Sequence, residues 1–323
     1  MPTSCAPSLS RTAVLTPRAD GRRRGESMSE GQLFPVNLEL RESDASGEVA
    51  SGLSHAPGGM FLLFVQEMAA RGEPRGAATV IHDAGGHGGR YIELAGALAA
   101  RGWAISLPDM RGHGRSEGDR GHSAGENEVV RDLAEVQAHL AYMAPDVPRV
   151  LIGDGLGALY ALAAASSTPD VRALVLASPL LTPHFEPPSA PGGWRRLFQK
   201  IGPTSPGRTL YRAELLTCDA AQARVWAEDE LAHGVITLRA AEQAAEAAAL
   251  APHRLAELDV PVLVLQGSDD TLGDPRRVRD LEGDGVTVRV FDGLRHGLFH
   301  EERRAEVIAS VADWLSETVA APD

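Results

Sequence analysis

Cysteine is almost absent: two occur in 323 residues, Cys5 and Cys218. They lie far apart and outside any metal spacing, which excludes a disulfide scaffold and a zinc site. No apolar run approaches the ~20 residues that a membrane helix requires, and mean hydropathy is −0.13. Positive charge is in deficit, with 31 Lys+Arg against 44 Asp+Glu, for a formal net charge of −13. A chain so acidic lacks the basic face that nucleic acid or anionic lipid demands. Hydrophobic residues nevertheless reach 43%, enough for a sizeable core. A soluble, cytoplasmic globular protein is expected; the oligomeric state is left open.

Residues 1–34 differ from the rest. They hold Pro, Ser and Thr, then Arg18, Arg22, Arg23 and Arg24, with neither apolar periodicity nor the continuous apolar core of a secretory signal. A disordered tail, or a segment upstream of a true start at Met28, is the expectation. From about Pro35 short β-rich runs alternate with helical stretches. Met60–Val65, Ala77–Ile81, Trp103–Leu107, Arg149–Ile152, Val171–Ala177, Val260–Gln266 and Val286–Phe291 read as strands. Tyr91–Arg101, Glu128–Tyr142, Leu156–Ser166 and Ala305–Thr318 read as helices. This rhythm implies βαβ units and a mostly parallel sheet with helices on both faces, an α/β fold built from 35–180 and 259–323. Residues 181–258 break it: a proline-rich opening, then Ala/Glu/Arg-rich helical sequence with no evident strand. A helical cap over the carboxyl edge of the sheet is expected there, because ligands bind at that edge.

Three segments carry the chemistry. His82-Asp83-Ala84-Gly85-Gly86-His87-Gly88-Gly89-Arg90-Tyr91 follows a strand, and a glycine-rich turn there can aim backbone N–H groups at an oxyanion. Gly153-Asp154-Gly155-Leu156-Gly157 joins a β-run to an Ala-rich helix, with small residues around its centre as in a nucleophile elbow. Asp270 and, 26 positions on, His296 each follow a late strand, completing the order nucleophile, acid, base.

From about Gly59 to Leu315 the chain resembles the monoacylglycerol lipase and lysophospholipase group of α/β-hydrolases, grouped also with the serine aminopeptidases. That group carries H-G-x-G-E-H-S-G-R-Y, P-D-x-R-G-H-G-x-S-x-G-x-R-G-H, G-H-S-M-G-G and a late G-x-x-D. The matching stretches here are His82–Tyr91, Pro108–His122 (PDMRGHGRSEGDRGH), Gly153–Gly157 and Gly267–Asp270. The resemblance implies an α/β-hydrolase fold, hydrolysis of fatty-acyl glycerol esters or related carboxylic esters, an apolar pocket under the cap, and no cofactor. By that resemblance Asp270 is the triad acid, His296 the base, and the N–H groups of Ala84 and Leu156 the oxyanion hole.

The chain departs from the pattern at its centre. Gly155 stands where the family has its serine, Asp83 where it has the glycine of the H-G turn, and Asp154 where it has histidine. An aspartyl nucleophile at Asp154, as in haloalkane dehalogenases and epoxide hydrolases, would put Ile152 and Leu156 where the elbow needs small residues, so that register is rejected. Glycine supplies no nucleophile, and carboxylates near an oxyanion hole oppose the charge of a tetrahedral intermediate. Three readings stand: a non-catalytic descendant that binds a small apolar ester, fatty acid or similar ligand; a hydrolase whose His296–Asp270 pair activates a water in the space left at 155; and a cofactor-free lyase or oxygenase in which that pair deprotonates substrate. An altered residue at 155 is the remaining alternative. His87 with Asp83 and Asp154 is weighed as a metal site and set below plain hydrogen bonding; His113 and His122 read as loop-packing residues, and His300, Glu301 and Glu302 as a solvated helix start.

Overall fold

The computed structural model describes residues 33–41, 60–168, 170–188, 201–209 and 211–319. The tail expected over 1–34 lies outside them save for its last two residues, which open a strand that the sequence pattern did not reveal. That strand, β1 (Leu33–Arg41), pairs antiparallel with β2 (Met60–Met68). The remaining strands of the main sheet are β3 (Gly76–Ile81), β4 (Trp103–Pro108), β5 (Arg149–Asp154), β6 (Val171–Ala177), β10 (Val262–Gly267) and β11 (Val286–Phe291). Their order is β1-β2-β4-β3-β5-β6-β10-β11, parallel from β4 onward and antiparallel across β2. β3, β4 and β5 are buried almost throughout, which is why they read as continuous apolar runs rather than as alternating ones.

Helices α1 (Ile92–Ala99) and α8 (Arg304–Thr318) cover one face, packing Leu94, Leu98, Val307, Val311 and Leu315 against Val80, Ile105, Ile152 and Leu265. Helices α2 (Glu126–Met143) and α3 (Leu156–Ser167) cover the other. Ten consecutive residues of α3, Leu156 to Ala165, are buried, because cap helix α6 (Leu238–Ala256) lies over its outer side. The Ala-rich sequence of both helices lets them approach closely.

The interval expected to be wholly helical is mixed. Helices α4 (Ala213–Leu216), α5 (Ala220–Glu228) and α6 are joined by a small antiparallel sheet of β7 (Phe185–Glu186), β8 (Pro206–Thr209) and β9 (Val235–Thr237). Strands of two to four residues show too few alternations to be seen in sequence. A short α7 (Pro275–Arg279) follows β10.

Strand order reverses at β3: β4 lies on one side of it, and β5 with the later strands on the other, all running parallel. At such a switch point the loops leaving the two central strands diverge and open a crevice at their carboxyl ends. His82-Asp83 leaves β3 there and Gly155 leaves β5.

Candidate active site at the sheet's switch point

Gly155 connects β5 to α3 with φ +54° and ψ −114°, a conformation that a side chain strains. The glycines two positions either side are sterically required. A Cβ on Gly153 would lie 2.4 Å from the Gly157 carbonyl oxygen, and one on Gly157 would lie 2.4 Å from that of Ile81. Strand and helix therefore meet with no room for side chains at 153 and 157. The turn centres on 155, not on Asp154.

Asp83 crosses the crevice to this turn. Its Oδ1 accepts from the Ala84 N–H at 2.7 Å, the Leu156 N–H at 2.7 Å and the Tyr211 hydroxyl at 2.9 Å. Its Oδ2 accepts from His296 Nε2 at 3.1 Å. The two N–H groups assigned to an oxyanion are thus already engaged by a carboxylate of the chain itself. A Cβ on Gly155 would fall 2.0 Å from Asp83 Oδ1 and 2.1 Å from its Cγ, so the carboxylate fills the space beside residue 155. The room for a water expected there is taken. Rather than merely opposing charge at the N–H pair from nearby, Asp83 occupies it.

His296 is 1% exposed and lies between two carboxylates. Its Nδ1 donates to Asp270 Oδ2 at 2.8 Å while its Nε2 donates to Asp83. Burial opposes its charge, but Asp270 first and then Asp83 override it and raise the imidazole well above 6.5. Burial likewise works to raise Asp270, yet the His296 charge and hydrogen bond hold it down at about 2. Asp270 is fixed further by the N–H groups of Leu272 and Gly273 and by Gln266 Nε2. Both ring nitrogens are engaged by carboxylates, so in this arrangement His296 presents no free lone pair with which to act as a base.

Asp154 is buried beside them. Tyr91 donates to its Oδ2 at 2.8 Å, and its Oδ1 has no hydrogen-bond partner among the described residues. Burial, then the charge of Asp83, pushes its carboxyl up to about 7. A cavity of about 20 Å³, room for about one water, is lined by Asp83, Asp154, Arg90, Tyr91, Trp226 and His300 among others. A second, of about 30 Å³, is lined by Ala84, Met110, Leu156, Tyr160 and Ile236 among others. Neither would accommodate a fatty-acyl chain with the cap in this position.

The other conspicuous residues join cap to core. His87, weighed with Asp83 and Asp154 for a metal, pairs instead with Asp229 of the cap at 2.9 Å, as does Arg90 at 3.0 Å. No cluster able to hold a metal ion occurs among the described residues. His82 accepts from the Met110 N–H and donates to the Asp83 carbonyl. His113 packs between His82 and cap residue His233, with ring centroids 5.0 and 4.8 Å apart. Glu301 overturns its solvated expectation: it is fully buried and accepts from the Thr217 hydroxyl and the N–H groups of Cys218 and Arg295, tying the cap to the loop that carries His296.

The three stacked histidines, His82, His113 and His233, with His300 at the cavity beside Tyr91, make acid stability a test of this packing. Burial lowers His82 to about 4, His300 to about 3, and His113 and His233 below their ordinary value. The unfolded chain takes up these protons near pH 6.5 and the folded chain only further down. Stability therefore falls as pH drops from 6.5 toward 4. Asp154 and Asp132, raised in the fold, work the other way across the same window, whereas His139 and His296, also raised, act mainly above pH 6.5; below it these four lowered imidazoles stand against two carboxyls. The urea midpoint is expected to be lower at about pH 4.5 than at about pH 7; an equal or higher midpoint would contradict the neutral stack.

Known proteins resemble the chain across most of its length. The family model described as Serine aminopeptidase, S33 matches residues 72–303. A Monoacylglycerol lipase of Mycolicibacterium smegmatis is 28% identical over 249 residues, 75% of this chain and 89% of that protein. The Monoglyceride lipase of Homo sapiens is 28% identical over 283 residues, 80% and 88% respectively. The crystal structure of Paleococcus ferrophilus monoacylglycerol lipase superposes with TM-score 0.68 at 23% identity, covering 79% of this chain and 99% of that one.

Proposed function

The chain belongs to the serine aminopeptidase S33 family, and from that premise we propose a monoacylglycerol-lipase-like α/β-hydrolase homologue without ordinary serine-esterase activity. The observation that carries this reading is the seat of Asp83: its Oδ1 on the Ala84 and Leu156 N–H groups, its carboxylate 2.0–2.4 Å from where a residue-155 side chain would start. Acyl transfer needs an oxygen or sulfur nucleophile and free donors for the carbonyl oxygen. Gly155 in the nucleophile position supplies neither atom, and Asp83 holds both donors.

The names of the relatives point to a glycerol ester or similar apolar molecule as ligand. Asp83 narrows that class, since an anion already at the N–H pair repels a fatty-acid carboxylate and favours a neutral molecule. A pair acting as general base on water is disfavoured in the resting state, because Asp83 takes the His296 Nε2 proton bond. The test is turnover of p-nitrophenyl butyrate, expected to be indistinguishable from that of a His296→Ala variant. Turnover abolished by that substitution would overturn the reading.

A further inference from the structure

We infer that Asp83 is itself a nucleophile, directed not at acyl carbon but at the saturated ring carbon of a small epoxide, with Asp154 as the proton donor to the ring oxygen. This inference goes beyond the loss of serine-esterase activity and rests on it, since it requires the N–H pair to belong to Asp83.

The two oxygens of Asp83 are differently bound. Oδ1 has three donors, from Ala84, Leu156 and Tyr211; Oδ2 has one, from His296. Oδ2 therefore keeps a lone pair, and Asp83 is among the residues that line the cavity. An acyl substrate finds no donors for its carbonyl oxygen. Substitution at saturated carbon needs none, since no oxyanion forms on the substrate carbon. What it needs is an acid for the departing oxygen. Asp154 lines the same cavity with Oδ1 unpartnered and Oδ2 held by Tyr91. Two carboxyls in one cavity whose environments differ this much divide into a base and an acid. A halide would not call for that acid; an epoxide oxygen does.

The steps balance. Oδ2 attacks the ring carbon, and the C–O bond breaks with its electron pair on oxygen. That oxygen takes the Asp154 proton, leaving a hydroxyalkyl ester on Asp83 and an ionised Asp154. A water then gives a proton to Asp154 as its hydroxide adds to the ester carbonyl, whose oxygen, Oδ1, already lies on the Ala84 and Leu156 N–H groups. Donors so placed contribute about 10²–10³ each in acyl chemistry. The tetrahedral centre collapses by breaking the C–Oδ2 bond, and Oδ2 leaves in the diol with the proton from His296 Nε2, its hydrogen-bond partner. The Asp83 carboxylic acid returns a proton to His296. Epoxide plus water gives diol, and all three side chains regain their starting states. The cavity admits about one water with the cap down, so substrate entry requires the cap to shift.

The deciding feature is isotopic: the water oxygen enters Asp83, and the oxygen lost from Asp83 leaves in the product. The wild-type protein is incubated with propylene oxide or styrene oxide in oxygen-18 water, the diol is quantified, and the peptide containing Asp83 is weighed by mass spectrometry. The inference expects diol formation, oxygen-18 in the Asp83 carboxylate, and first-turnover diol without label. His296→Gln should accumulate the hydroxyalkyl ester on Asp83, and Asp154→Asn should slow diol formation by about 10²-fold or more. No diol from either epoxide, or diol with an unlabelled Asp83, overturns it. In either case, continued absence of p-nitrophenyl ester turnover leaves the loss of serine-esterase activity standing, whereas ester turnover dependent on His296 would remove that reading instead.

Discussion

The double variant Asp83→Gly/Gly155→Ser is expected to gain hydrolysis of p-nitrophenyl butyrate and labelling by a fluorophosphonate, while neither single variant does. The serine alone cannot be seated: its Cβ would lie 2.0 Å from Asp83 Oδ1 and 2.1 Å from Cγ. The φ of +54° adds strain of about 1–2 kcal/mol. The single Gly155→Ser variant should therefore lose stability without gaining activity. Asp83→Gly alone frees the Ala84 and Leu156 N–H groups but supplies no attacking atom. Together the two changes restore a hydroxyl beside His296 Nε2 and a free donor pair, with Asp270 still holding His296 Nδ1. In the protease series that fixes the scale, the nucleophilic serine is worth about 10⁶ in turnover. Asp154 stays buried beside the turn, so a smaller gain, about 10³-fold over wild type, is expected. Equal gain in the single Gly155→Ser variant would show that Asp83 does not occupy the site.

His296→Ala carries the second large effect. It removes the one cation between two buried carboxylates, and breaking such a group by deleting one partner costs about 3–5 kcal/mol. Asp83 keeps three donors and Asp270 keeps Leu272, Gly273 and Gln266, so the lower end, about 3 kcal/mol, is expected in urea unfolding near neutral pH. The loss should shrink on acidification, as protonation relieves the stranded carboxylates. Unchanged stability at neutral pH would mean that His296 is not an imidazolium in the fold.

Much of this was legible in the residues. The β/α rhythm from Met60 onward gives strands and helices whose ends shift by only a few residues, because buried parallel strands and amphipathic helices write their periods strongly. The turn centred on Gly155 was legible from Gly153 and Gly157, whose absent side chains the structure requires. The departures at 83, 154 and 155 stood out one by one. Their relation did not: nothing in spacing says that the side chain of residue 83 reaches the N–H of residue 156 or takes the volume beside 155. That depends on the β3 and β5 loops diverging at the switch point, a property of strand order rather than of either motif. Glu301 was misread for a related reason. Two adjacent glutamates look solvated, and only Thr217 and Cys218, brought over by the cap, bury the first of them. The strands β7, β8 and β9 were too short to print a period.

In the proposed reading, positions 83 and 155 act together. Glycine at 155 leaves room, and aspartate at 83 fills it. The carboxylate thereby satisfies two N–H groups and a histidine that, in that reading, would otherwise serve an acyl substrate. Burying an anion there costs desolvation, offset by three donors and an imidazolium within 3.1 Å.

The most direct test of that arrangement is the protonation of His296, followed by nitrogen-15 NMR of the histidine-labelled protein. Flanked by Asp83 and Asp270, its ring is expected to keep both protons at about pH 8, and to lose one at lower pH once Asp83→Asn removes the carboxylate on Nε2. A His296 that titrates at or below 6.5 in the unaltered protein, and does not respond to residue 83, would contradict the account.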